Sequence, residues 1–190
     1  MVSMSRAVNA VEAHLAPDEK TIVVVHSRSG IIASMLAERA PERIARTIYL
    51  ASFMLGTGKR VLDYLPDADS FLTRHIEINR LGLWDRLNPE AYREGLYADC
   101  SEADVALCSA LLTREPVRPA LTRLTLSDAR YGQVPRAYIR LTDDRAVSLK
   151  LQDRLIEAMP VERVESIAAS HSAYFSKPEQ LAAIVMKLAM

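Results

Sequence analysis

The feature that most constrains this chain is an apolar run that breaks off at a polar turn. TIVVV, with Thr21 and Val25 at its ends, is mostly β-branched and lacks alternation. A run of that kind reads as a strand buried on both faces, as strands of a parallel sheet are. The polar knot His26-Ser27-Arg28-Ser29-Gly30 follows, and then Ile31, Ile32, Met35 and Leu36 recur at helical spacing until Pro41. TIYLA, at 47–51, reads as a second buried strand. The interval between Val25 and Thr47 suits a helical crossover, so these residues predict one βαβ unit.

The alternation resumes near the other end. AYIRL at 137–141 predicts a strand, 148–159 a helix, and VESIA at 164–168 a further strand. Pro178 opens a last helix with Leu181, Ile184, Val185 and Leu188 on one face. At the start, Met4, Ala7, Val8, Val11 and Leu15 recur at helical spacing before Pro17. Between the two sheet regions the character changes. Residues 53–131 carry Gly56, Gly58, Pro66, Pro89, Pro116 and Pro119 among short helical patterns, as at 89–95 and at 101–112 with Ser101 as N-cap. With no strand signal of comparable strength, this segment reads as a helical cap inserted over the sheet. The expected fold is therefore a single α/β domain, with a mostly parallel sheet of about four strands flanked by helices.

The totals exclude more than they assign. The 190 residues suffice for one cored domain. Lys plus Arg number 24 and Asp plus Glu number 24, so no net charge draws the chain to nucleic acid or to an anionic membrane. No apolar run reaches membrane-spanning length. The first sixteen residues are interrupted by Arg6, Asn9, Glu12 and His14, unlike a signal peptide, so the expected location is cytoplasmic. Cys100 and Cys108 lack the neighbours of a metal site and read as reduced thiols. No G-x-G-x-x-G or G-K-[ST] motif cradles a phosphate, so no cofactor or metal is expected.

Three residues could do chemistry together. Ser27 lies between a buried strand and a helix, on a turn that lifts one side chain above the C-terminal edge of the sheet. The Arg28 N–H at the helix start is then a candidate oxyanion donor, although a serine here also serves as an ordinary N-cap. His171 follows the last strand, and a serine hydroxyl needs an imidazole to take its proton. Of the other histidines, His14 reads as a helix-face residue, His75 lies in the insertion, and His26 shares a strand end. Asp143 and Asp144 both follow AYIRL, and one of them could orient the imidazole. The order Ser, Asp, His, each just past a separate parallel strand, is that of α/β-hydrolases.

With those residues in view, the chain resembles the small α/β-hydrolases that include plant methyl esterases and hydroxynitrile lyases. The resemblance runs through VVVHSRSGIIASMLAERAPERIARTIYLASFM, YADCSEAD, VPRAYIRLTDDRAVSLKLQ and ASHSAYFSKPEQLA. It implies Ser27 as nucleophile, His171 as base and Asp144 as the acid, the last from its spacing to Gln152. A small ester is the implied substrate, with Leu81, Leu83 and Trp84 as expected linings of an apolar pocket. Ser172 stands where the lyases carry a lysine, which points to ester hydrolysis. Three departures accompany the resemblance. Val25 and Ser29 replace small or glycine residues of the elbow. The first glycine is Gly30, so the family's early His-Gly loop, which gives a second oxyanion N–H, is missing. Strands that should flank TIVVV are missing too. Its bare edge should then be covered by the N-terminal helix, by a second copy or partner chain, or by the rest of a longer product, the last being the favoured expectation.

Overall fold

The computed structural model describes residues 2–64 and 71–190. Pro66, noted above, lies outside the described residues. In chain order the principal elements are α1 (Met4–Glu12), β1 (Thr21–His26), α2 (Gly30–Arg39), β2 (Ile44–Leu50), β3 (Ile76–Ile78), β4 (Trp84–Leu87) and α3 (Tyr92–Leu96). There follow α4 (Glu102–Leu111), β5 (Glu115–Pro116), α5 (Val117–Leu121), β6 (Arg136–Leu141), α6 (Leu149–Ala158), β7 (Arg163–Ile167), α7 (Ala173–Ser176) and α8 (Pro178–Ala189).

Four strands form the main sheet, in the order β1-β2-β6-β7 and parallel throughout. Helices cover both faces because both faces are apolar. On one, Met4 and Val8 of α1, Ile31 and Leu36 of α2, and Leu151 and Leu155 of α6 pack in one cluster with Val23. On the other, Ile48, Leu50, Ile139 and Leu141 pack with Ile167 and with Leu188 of α8. The expected βαβ unit is present, with Val25 opposite Tyr49 and His26 opposite Leu50. Ser148 and Ser101 cap α6 and α4 as acceptors from Leu151 N–H and Asp104 N–H, each at 3.2 Å.

β1 is an edge strand among the described residues, and it is covered on one face only. Val23 is buried against α1 and α2, whereas Ile22 and Val24 are 36% and 45% exposed. Val24 lies opposite Ile48, which packs in the cluster beneath α8, so the α8 layer ends short of β1.

The segment between β2 and β6 departs from the expected all-helical cap. It contains α3, α4 and α5, but also a three-stranded sheet in the order β3-β4-β5, with both pairings antiparallel. The strands are two to four residues long, too short to print an alternation on the sequence. Between β3 and β4, Gly82 adopts φ +62° and Asn79 Oδ1 accepts from Leu81 N–H, which closes the turn. The region 89–95 also begins as a 3-10 turn, Pro89–Ala91, before α3.

Candidate active site

Ser27, Arg28, Asp144 and His171 all lie at the C-terminal edge of the parallel sheet. Ser27 directly follows β1 with φ +53°, a left-handed conformation that a side-chain-bearing residue adopts only under constraint. Two bonds impose it. The Ser27 carbonyl accepts from Phe53 N–H at 3.0 Å and from Ser52 Oγ at 2.7 Å, both in the loop after β2. Tyr138 of β6 fixes that loop in turn, accepting from Ser52 N–H at 2.8 Å and donating to its carbonyl at 3.0 Å.

Gly30 explains why a glycine survives in this turn. A Cβ on it would stand 2.3 Å from Ser52 Oγ and 2.6 Å from the Phe53 carbonyl oxygen. The helix can start this close to the β2 loop only without a side chain. Val25 and Ser29 are accommodated. Val25 packs half-buried against the core, and Ser29 Oγ donates to the His26 carbonyl.

Asp144 and His171 are both buried and joined by a 2.7 Å hydrogen bond between Nδ1 and Oδ2. The other carboxylate oxygen accepts from Ala146 N–H at 2.7 Å and Val147 N–H at 3.0 Å. With Oδ1 held by backbone and Oδ2 on the ring, the carboxylate fixes the imidazole's orientation. Asp143 is exposed and accepts from Thr142 Oγ1. Of the two adjacent acids, the geometry brings Asp144 to the histidine and leaves Asp143 outside.

One partner of His171, and the partners of two of its chain neighbours, were not read from the sequence. The His26 ring lies 4.2 Å from that of His171, and its Nε2 donates to the His171 carbonyl at 2.9 Å. Burial, and then the neighbouring His171, hold the His26 imidazole well below its ordinary pKa. From the segment before α4, Asp99 bonds Ser170 Oγ, and Cys100 Sγ donates to the Ser172 carbonyl at 3.9 Å. Burial, then the charge of Asp99, push the Cys100 thiol up to about 11, so it is no thiolate nucleophile. His14 lies in the turn after α1, not on the helix face expected of it, and bonds the Ala10 carbonyl, while His75 stacks on Phe71.

Ser27 and His171 line one cavity of about 430 Å³, walled by apolar side chains such as Ile31, Leu72, Leu87, Tyr92 and Leu112. The expected linings Leu81, Leu83 and Trp84 are not among its walls. Leu81 is 78% exposed in the β3–β4 turn, and Trp84 lies beneath the Arg114 guanidinium at 4.2 Å. Their apolar character marked them, but the β3–β4 turn and the start of β4 carry them away from the cavity.

A family model described as the alpha/beta hydrolase family matches residues 3–184. The chain belongs to that family. Within it, the chain is similar to plant methylesterases. It is 33% identical over 181 residues to a chloroplastic protein of Arabidopsis thaliana whose name, methylesterase 11, is provisional, covering 90% of this chain and 46% of that one. The chain thus spans about half the length of the first curated relatives it matches. Among solved structures, polyneuridine aldehyde esterase is similar at a TM-score of 0.87 and 21% identity, covering 99% of this chain and 80% of that one. The pyrethroid hydrolase of Sphingobium faniae JZ-2 is similar at a TM-score of 0.89 and 24% identity, covering 100% and 78% respectively. At such identities these two likenesses speak for the fold.

Proposed function

We propose that this chain is a serine hydrolase of small carboxylic esters, with residues 53–131 as a cap over the substrate cavity. The observation that carries the reading is the buried His171–Asp144 hydrogen bond beside the strained Ser27 turn, on one cavity. Asp144 accepts from Nδ1–H, which selects the tautomer with a lone pair on Nε2. Through Nε2, His171 takes the Ser27 hydroxyl proton as Oγ attacks the ester carbonyl. The imidazolium returns that proton to the leaving alcohol, and water then repeats the sequence on the acyl-enzyme. Arg28 N–H, next after the nucleophile, donates to the oxyanion. The apolar walls favour an uncharged, apolar ester. Both cysteines are free and buried, in keeping with a reducing compartment such as the cytoplasm.

One observation favours a second reading, a hydrolase-like scaffold that binds without turnover. Ahead of β1, residues 2–20 hold α1 and a turn, and no glycine precedes Gly30. Residues 2–20 supply no glycine-bearing loop, so a second oxyanion donor has to come from elsewhere, and a site that lacks one loses about 10²–10³ in rate. Treatment with a fluorophosphonate separates the readings. The hydrolase reading expects an adduct on Ser27, lost in Ser27→Ala and His171→Ala. A folded chain that forms no adduct would leave the scaffold reading standing.

A further inference from the structure

The Arg28 side chain has an environment that the proposed chemistry does not require. It leaves the turn toward the cap, where Nη1 and Nη2 donate to the two oxygens of Asp85 at 2.8 and 3.0 Å. Nη1 also lies 3.4 Å from Glu115. Asp85 belongs to β4 and Glu115 to β5, and the two residues face each other directly across the antiparallel pair. Like charges at such a position repel, and although the Glu115 side chain is 59% exposed, Asp85 is only 7% exposed and has little water of its own. The guanidinium is the cation that makes this pair tenable. Burial works to lower the Arg28 pKa, but the Asp85 hydrogen bonds and the charges of Glu115 and Asp85 outweigh it and keep the group charged.

We propose that Arg28 is a positioning residue whose guanidinium clamps the cap sheet to the nucleophile turn, holding β4 and β5 closed over the cavity. Strands of two to four residues are marginal by themselves. The bidentate pair supplies an anchor outside the small sheet, with the geometry a carboxylate takes from arginine rather than lysine. Arg28, Asp85 and Glu115 all line the cavity, so loss of the clamp opens a wall of it. The division of labour is within one residue: the backbone N–H faces the chemistry, and the side chain governs closure. The second half of that statement rests on the hydrolase reading only for its kinetic consequence.

The test is hydrogen exchange by mass spectrometry on the full chain and on Arg28→Met, Asp85→Asn and Glu115→Gln. Amides of residues 76–87 and 115–121 should exchange about tenfold faster in Arg28→Met and Asp85→Asn, with those of β2 and β6 unchanged. Glu115→Gln relieves the carboxylate pair and keeps the bidentate bond, so its exchange should stay near that of the unaltered chain. The charge exchange Arg28→Asp with Asp85→Arg should restore protection, which a merely space-filling role would not do. On an apolar nitrophenyl ester, Arg28→Met should raise KM by about tenfold with a smaller change in kcat. Unaltered exchange in both Arg28→Met and Asp85→Asn would overturn the clamp, as would a fall in kcat at constant KM. Failure of the unaltered chain to turn over the ester would instead overturn the hydrolase reading, and the exchange data would still decide the clamp.

Discussion

At the scale of single residues, the site is held by groups whose neutrality or smallness matters as much as their reactivity. His26 is the first case. Its folded pKa lies below the ordinary value of 6.5, because burial and then the neighbouring His171 oppose a charge on its ring. The unfolded chain therefore takes up a proton that the native state refuses. The stability His26 contributes as a neutral group is complete above about pH 6.5 and is lost as the pH falls toward its folded pKa. His26→Gln keeps a donor for the His171 carbonyl and removes the titration. Urea midpoints should consequently fall less between about pH 7.5 and 5.5 in the variant than in the unaltered chain. Parallel curves would show that His26 is not held neutral. Gly30 is the second case, where a methyl group has no room between Ser52 and Phe53. Gly30→Ala should cost about 1–3 kcal/mol in thermal or urea unfolding, and should slow phosphonylation of Ser27 because the same clash displaces the turn. A variant as stable and as reactive as the parent would mean the β2 loop yields freely.

Elements were legible in proportion to how strongly they print on the chain. The four parallel strands are near-continuous apolar runs, and each was found within a few residues of its bounds, β2 beginning at Ile44 rather than Thr47. Ser27, Asp144 and His171 could be placed at the sheet's edge because each directly follows such a run. The cap sheet left no comparable mark, since Ile76-Glu77-Ile78 is too brief to separate from chance. The remaining misses are long-range. His26 meets a backbone carbonyl 145 positions away, and Arg28 meets Asp85 57 positions away; no local pattern encodes either. Gln152 shows both sides. Its spacing from Asp144 was visible through the resemblance, whereas its work was not. Its Oε1 accepts from Leu141 N–H at 3.0 Å, and its Nε2 donates to the carbonyls of Leu141 and Val147 at 2.9 and 2.7 Å. One buried amide thus closes the end of β6 and the loop that carries Asp144. Gln152→Leu would withdraw those partners and should cost roughly 2–4 kcal/mol. Chemical denaturation measures that loss, and a change below about 0.5 kcal/mol, within the range of ordinary surface substitutions, would show that the loop closes without the amide.

For the whole molecule, the decisive asymmetry is between the two edge strands that the main sheet has among the described residues, β1 and β7. β7 carries Arg163 and Glu165 along its length, while β1 presents its outer row of backbone groups with the apolar side chains of Ile22 and Val24 exposed. α1 does not resolve this, because it packs on the face that carries Val23. An apolar edge of this kind templates strand pairing, and the usual protection against it is a charge on the edge. Here the nearest charged residue in the same direction of chain is Lys20, just before the strand, and the formal net charge of zero supplies no general repulsion. The chain described here should therefore associate with itself through β1 as its concentration rises. Val24→Lys places a cation on the exposed face at a position outside the buried clusters, so stability should change by no more than about 0.5 kcal/mol. Light scattering over a concentration series should then show larger species for the parent and fewer for Val24→Lys, with unfolding midpoints alike. A parent that stays monomeric throughout would mean that the β1 edge is protected by its own twist and loops. A variant that associates as strongly as the parent would move the contact elsewhere, with the exposed Leu107 and Leu111 face of α4 the next surface to alter.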